Sequence, residues 1–360
     1  MKKKNLSAYI SIIVLSLMVI IALSFCLVLM FRNASISELE ESERQRLTKL
    51  DEIESTGYYL KSDADEMIET AREEGEAEGT EKGRAEVING IQARLESGET
   101  TTNVVRELFK DKIVVTDAGR FFFFPINTER EPIQFEKTDL EVDENGIVQY
   151  VGTDPSVQVT HGIDVSYFQG KIDWKKVKAA GVDFAIIRVG NRGYSEGKLV
   201  EDKFFESNIK GALENDIDVG VYIFSQAINE EEAEEEAMFV LDRIEPYNIA
   251  YPVVIDIESA DNAGARTNNV TKQEYTAIAK RFCEVVEGAG YTPMIYGNLK
   301  SLTIMMDGDE LADRDTWFAF YGDQIYYPYR FEMWQYSSSG KVAGIEGNVD
   351  MNICVKRYTD

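Results

Sequence analysis

The stretch "YPVVIDIES", Tyr251 to Ser259, decides how the rest of the chain is read. Apolar residues run from Val253 to Ile255, and two carboxylates follow one residue apart, Asp256 and Glu258. A short apolar run without alternation fits a strand buried on both faces, as in a parallel sheet covered by helices. Residues i and i+2 of a strand share a face, so both acids look the same way. Like charges held together cost stability and raise at least one pKa. That cost is usual where chemistry needs a protonated acid beside an ionised one.

Seven further apolar runs flank this one: "HGIDVS" from His161, "DFAIIRVG" from Asp183, "DVGVYIFS" from Asp218, "YTPMIYGN" from Tyr291, "TWFAFYG" from Thr316, "RFEMWQYS" from Arg330 and "GNVDMNICV" from Gly347. Helical patterns lie between the first five, among them "DWKKVKAAG", "KFFESNIKGALEN", "EEEAEEEAMFVLDRIE" and "KQEYTAIAKRFCEVVEGAG". Eight strands in about 200 residues suit a closed β/α barrel of the TIM kind, with parallel strands and few helices in its final third. Chemistry in such barrels sits at the C-terminal strand ends, where Asp164, Asp256, Glu258 and Asp350 are expected to converge.

The charge balance narrows the chemistry. The 360 residues carry 38 Lys and Arg against 64 Asp and Glu, a net charge of -26, which argues against nucleic acid as a partner. His161 is the single histidine, which disfavours a His-based metal site and a Ser-His-Asp triad. No cofactor and no metal are expected. "MDGDELADRD", Met306 to Asp315, lacks the glycine and closing glutamate of a calcium loop and reads as a solvated turn. Cys26, Cys283 and Cys354 make no disulfide framework, and the last two read as buried thiols.

The N-terminal part has a different character. Lys2 to Lys4 precede an uncharged stretch from Asn5 to Phe31, longer at about 1.5 Å per residue than a hydrocarbon core of about 30 Å. Residues 1–6 are expected in the cytoplasm, 7–31 across the membrane as an uncleaved signal anchor, and the remainder outside. Residues 32–99 are acid-rich and read as a helical stalk or linker whose weak heptad offers a surface for homodimerisation. Residues 100–159 read as a small α+β module: a capped helix and strand in "TTTNVVRELFKDKIVV", a strand in "RFFFFPI" and another in "DENGIVQYVG". The four consecutive phenylalanines, Phe121 to Phe124, are read as core rather than as a binding face.

From about His161 to Tyr358, "GIDVSYFQGKIDW", "FAIIRVG", "GVYIF", "DIE", "MIYGN", "WFAFY", "WQYSSSG" and "NVDMN" occur in one order. Together these blocks resemble the glycoside hydrolase family 25 lysozymes, the Chalaropsis-type muramidases. The resemblance covers none of the first 160 residues, and residues 160–360 are read as the catalytic barrel. It implies an irregular β/α barrel with fewer helices than strands that cleaves the β-1,4 bond between N-acetylmuramic acid and N-acetylglucosamine in peptidoglycan glycan strands. It also implies Glu258 as proton donor with Asp256 as its partner, and Asp164 and Asp350 at the pocket floor. Tyr222, Phe224, Tyr296, Trp317, Tyr321, Trp334 and Gln335 lie in the matching blocks as candidates for the sugar platform. Where the family pattern has histidine in the third strand this chain has Ile223, which alternation turns away from the pocket.

The chemistry of the residues agrees, since glycoside hydrolysis uses an acid protonated at working pH and a carboxylate that steadies developing positive charge. Side chains one pleat repeat apart lie about 6.5 to 7 Å from each other, between retaining and inverting geometries. The resemblance adds a third course in which the substrate's own 2-acetamido group attacks and Asp256 orients it. Two other readings compete: a wall-binding scaffold without catalysis, and a glycosidase on another N-acetylglucosamine polymer such as chitin. A muramidase tethered to the outer face of a bacterial cell membrane is the expectation that unites anchor, stalk and barrel.

Overall fold

The computed structural model describes residues 81–358, apart from 145, 155–156, 261 and 323–324, together with 44–45, 47–49, 66 and 68–70. The expected anchor, residues 7–31, and most of the expected stalk lie outside the described residues. Among the described residues no helix is long and apolar enough to cross a membrane. Residues 1–52 form one unit and 53–360 another, and the described residues at 44–45 and 47–49 are helical.

Helix α1 (Glu81–Glu96) leads into α2 (Thr101–Leu108), whose N-cap Thr100 accepts a hydrogen bond from the Asn103 amide. An antiparallel hairpin follows, β1 (Lys112–Asp117) with β2 (Arg120–Pro125). Phe121 to Phe124 are all buried, two of them against Val105 and Val114. Burial of adjacent residues means that both faces of β2 are covered, which is the core reading of the aromatic run. A short second hairpin pairs β3 (Leu140–Val142) with β4 (Val148–Tyr150). Only β4 was legible in the sequence, because three residues with two of them exposed leave no apolar run at β3.

The barrel is built from β5 (Thr160–Val165), β6 (Phe184–Arg192), β8 (Asp218–Phe224), β9 (Val253–Asp256), β10 (Pro293–Asn298), β11 (Asp315–Ala319), β12 (Met333–Gly340) and β13 (Val349–Cys354). The short strand β7 (Leu199–Glu201) forms a hairpin on the end of β6. Pairing runs β5-β13-β12-β11-β10-β9-β8-β6, and β5 pairs with β6 to close the ring. All eight apolar runs are therefore barrel strands.

Helices α3 (Trp174–Ala179), α4 (Phe205–Leu213), α5 (Glu230–Ile244) and α6 (Lys272–Gly288) fall in the first half, whereas a π-helical turn at Ser301–Met305 and loops connect the last strands. One expectation is corrected. The sheet is not wholly parallel, since β13 runs antiparallel to both β12 and β5. Parallel pairing needs a crossover connection of about a dozen residues or more, and the link from β12 to β13 is too short for one and leaves a hairpin-like return instead.

The interior packs Phe184, Ile186, Tyr251, Val254, Met294, Trp317 and Met333 in one cluster. The Phe184 ring stacks on Tyr251 at 4.5 Å and lies where a side chain at position 162 would be, since a Cβ on Gly162 would meet the ring at 2.2 Å. Cys283 and Cys354 are buried free thiols, each pushed by burial up to about 12.

Candidate active site

The register of the strands places the acids. Asp256 ends β9 between Phe224 of β8 and Tyr296 of β10, and Glu258 follows two residues on, half-buried beyond the strand end. Asp164 near the end of β5 faces Asp350 across the β5–β13 pairing. Because β13 is reversed, its first residues lie beside the last residues of the parallel strands. The acid enters the barrel mouth from a strand start rather than a strand end.

A hydrogen-bonded chain fixes the floor. Gln335 Nε2 and Asn352 Nδ2 both donate to Asp164 Oδ2, each at 2.8 Å. Gln335 Oε1 accepts from the Tyr296 hydroxyl at 2.9 Å and also from Tyr321, and Trp317 Nε1 donates to Asn352 Oδ1 at 2.9 Å. The Asn352 oxygen is taken by the Trp317 indole, which cannot accept in return, so its nitrogen is turned to Asp164, and the Gln335 oxygen takes the two tyrosine hydroxyls, which leaves its nitrogen for the same carboxylate. Arg188, whose charge acts on Asp256, meets Asp202 Oδ2 through Nη2 at 2.7 Å. Asp202 also accepts from the Tyr167 amide at 2.9 Å, tying the loop after β5 to β6.

Electrostatics follow from burial and crowding. Asp164 is held well above the usual carboxylate range, first by burial and then by Asp350. Burial, with Glu258 and Asp164 as like charges, does the same for Asp256, and Arg188 opposes it. Burial pushes Asp350 up to about 6. The cluster holds its protons to higher pH than free carboxylates would, as interacting acids in a poorly solvated site do. Among the described residues, Asp256 Oδ1 is buried without a hydrogen-bond partner.

Beside the acids lies a cavity of about 370 Å³, within the size range of small-ligand pockets. Glu258, Tyr296, Asn298, Phe320 and Tyr321 line it from the barrel. The aromatic candidates divide. Tyr321 is 55% exposed, while Tyr296 is buried with its hydroxyl on Gln335. Tyr222 stands edge-on to Trp317 at 6.3 Å, and Phe224 edge-on to Tyr194 at 5.8 Å. Ile223 between them is fully buried. Trp317 (1% exposed) and Trp334 (4%) have their rings inside, Trp334 donating to the Phe320 carbonyl, so they support the site from behind.

Sequence reasoning passed over Asn352, Arg188, Asp202 and Tyr194. Asn352 sits two residues after Asp350 and shares its face, a signal that alternation supplies. Arg188 stands alone in the apolar "FAIIRVG", which is also a signal, but its partner Asp202 lies on a loop that no periodicity marks. Among the described residues no group of His, Cys, Asp and Glu is arranged to hold a metal ion.

Comparison with known proteins agrees with this geometry. The family model for glycosyl hydrolases family 25 matches residues 163–345, a span that holds Asp164, Asp256 and Glu258 and ends before Asp350. Uncharacterized protein YegX of Escherichia coli K12 is 28% identical over 210 residues, covering 55% of this chain and 71% of that protein. Lysozyme M1 of Streptomyces globisporus is 28% identical over 208 residues, covering 53% of this chain and 66% of the enzyme. The modular autolysin LytC of Streptococcus pneumoniae, solved in complex with a synthetic peptidoglycan ligand, superposes with a TM-score of 0.50 at 25% identity. That match covers 68% of this chain and 56% of the autolysin. With half of its residues matched by the family model and its acids gathered at one end of an eight-stranded barrel, the chain belongs to glycosyl hydrolases family 25 and is a glycoside hydrolase of the lysozyme class.

Proposed function

We propose that the protein is a muramidase of the Chalaropsis type, cleaving the β-1,4 bond between N-acetylmuramic acid and N-acetylglucosamine in peptidoglycan. The observation that carries this reading is the unequal setting of two acids on one strand. Glu258 borders the cavity, whereas Asp256 is buried with one oxygen unpartnered among the described residues. A glycan in the cavity meets Glu258 at its glycosidic oxygen and can place the 2-acetamido N–H against Asp256.

That contact favours ionised Asp256, because a donor to a carboxylate stabilises the charged form, and it moves the proton shared by the pair to Glu258. Glu258 then protonates the leaving oxygen as the C1–O bond breaks. The acetamido oxygen closes onto C1, and Asp256 steadies the cationic ring that results. Water opens it while Glu258 takes back a proton, which restores the acid. Asp164, fixed by Gln335 and Asn352, holds the floor and keeps the cluster's proton affinity high.

The uncharged N-terminal stretch supports placing this enzyme on the outer face of a bacterial membrane, anchored by residues 7–31. Residues 32–99 then act as a spacer through which two copies can pair. The test is digestion of purified peptidoglycan by the full chain in detergent, with fragments reduced and identified by mass spectrometry. Fragments ending in reduced N-acetylmuramic acid are expected, with the rate falling by about 10²–10⁴ in Glu258→Gln. A folded wild-type chain that binds walls but releases nothing would replace this reading with that of a binding scaffold.

A further inference from the structure

The cavity beside Glu258 has a second wall that does not come from the barrel. Arg106 of α2 and Val115 and Thr116 of β1 line it, facing Glu258, Tyr296 and Tyr321. The hairpin module is held in this place by hydrogen bonds far apart in sequence. The Val114 amide donates to the Tyr326 hydroxyl at 2.8 Å, which donates onward to the Lys112 carbonyl at 3.1 Å. Lys300, which also borders the cavity, is joined to Asp117 of β1 at 2.8 Å.

Arg106 differs from most of the other partly buried arginines. Its guanidinium lies 4.0 Å from the Tyr326 ring centroid, and its Nε donates to the Val114 carbonyl at 3.3 Å. Among the described residues no carboxylate pairs with it, although Arg188, Arg192, Arg266, Arg281 and Arg314 each have one. Burial pushes its pKa down, the mark of a charge partly stripped of water without a counter-ion. In a chain of net charge -26 the missing counter-ion is conspicuous, and the side chain borders the cavity where the substrate enters. A planar fork of donors stacked on an aromatic ring is suited to a carboxylate.

We propose that the module completes the substrate cleft and that Arg106 receives a carboxylate on a peptide branch of the glycan. This rests on the muramidase reading and sharpens it. An uncharged N-acetylglucosamine polymer leaves Arg106 unpaired, whereas a glycan with acidic peptide branches supplies what it lacks. The carboxylate need not touch the bond that breaks, so its effect belongs to binding.

The test separates binding from cleavage. Soluble glycan strands are titrated calorimetrically into the full chain carrying Glu258→Gln, which retains substrate. Three forms are compared: strands with intact peptide branches, strands whose branch carboxylates are converted to amides, and strands stripped of peptide so that only the lactyl carboxylate remains. Intact strands are expected to bind about tenfold more tightly than amidated ones, the size of one charge-assisted hydrogen bond. Arg106→Gln abolishes that ratio and Arg106→Lys keeps part of it. Thr116→Glu, at an exposed position, reduces the ratio by placing a negative charge on the same wall and guards against misfolding of the arginine variants.

A ratio near one in the parent chain, or one untouched by both Arg106→Gln and Thr116→Glu, overturns the proposal. Full Arg106 dependence with stripped strands assigns the anion to the lactyl group and overturns the peptide assignment. Failure of the wild-type chain to cut any strand overturns the muramidase reading alone, because the binding ratio is read without cleavage.

Discussion

Asp350 shows how one residue carries fold and chemistry together. It enters the mouth from a reversed strand, faces Asp164 in register and is pushed up to about 6 by burial. The folded chain thus holds this proton more tightly than the unfolded chain does. Its contribution to stability is complete below about pH 4, the unfolded value, and is lost as pH rises through 6. Asp164 and Asp256 act in the same direction. Wild-type Tm is therefore expected to fall between pH 4.5 and 7, and Asp350→Asn to flatten that slope, in scanning calorimetry across the range. An identical slope in the variant would mean that the carboxyl is solvated. Removing the charge also eases ionisation of Asp164, which Asp350 otherwise opposes. The acids themselves were legible, because a carboxylate ending an apolar run is conspicuous. Their amide partners were less so: Gln335 stood among the candidates for the sugar platform, not as a partner of Asp164, and Asn352 looks like an ordinary polar residue until the pairing of β12 with β13 brings both onto Asp164.

At the scale of elements, the eight strands were legible because most are buried on both faces over several consecutive residues and read as short apolar runs. The direction of β13 was not, since a run of that kind has no polarity. The helices announced themselves by caps and stripes, but what ties α5 to the sheet did not. Arg192, at the end of β6, donates from Nε to Glu236 of α5 at 2.8 Å, and its Nη2 meets Glu235 at 3.0 Å. Glu236 is fully buried, and burial pushes it up to about 7. Both residues lie in segments that the sequence reads as strand and acidic helix face, 44 positions apart. Removing one partner of such a pair leaves an uncompensated buried charge. Arg192→Met is expected to cost about 3–5 kcal/mol in denaturant unfolding, and Arg192→Met with Glu236→Leu to recover most of it. A double variant no more stable than the single one would show that the pair contributes through packing around the arginine rather than through charge.

Over the barrel and its module, the decisive contacts join parts about 200 positions apart. The sequence shows residues 100–159 as an α+β piece, and it shows nothing of where that piece docks, because neither a hairpin nor a loop encodes its distant partner by periodicity. The docking is specific. Besides Tyr326, the Tyr329 hydroxyl accepts from the Asn127 amide at 2.8 Å, the Ile133 amide donates to the Pro328 carbonyl at 3.1 Å, and Arg330 pairs with Glu131 at 2.7 Å. The loop between β11 and β12, whose described residues form no helix, is thus covered by the module, and the shortfall of helices in the last third of the barrel is where the module binds. Tyr326→Phe keeps the ring under Arg106 but leaves the buried Val114 amide without an acceptor. A loss of about 1–3 kcal/mol is expected for an unsatisfied donor of this kind. If module and barrel unfold as one unit, calorimetry shows a single transition that moves down in Tm. If the module opens separately, amide exchange of β1 and β2 rises first while the barrel strands stay protected. The first result would make the cleft wall as permanent as the barrel. The second would make it a wall that can swing away, and affinity for branched strands should then fall in step with the opening of β1.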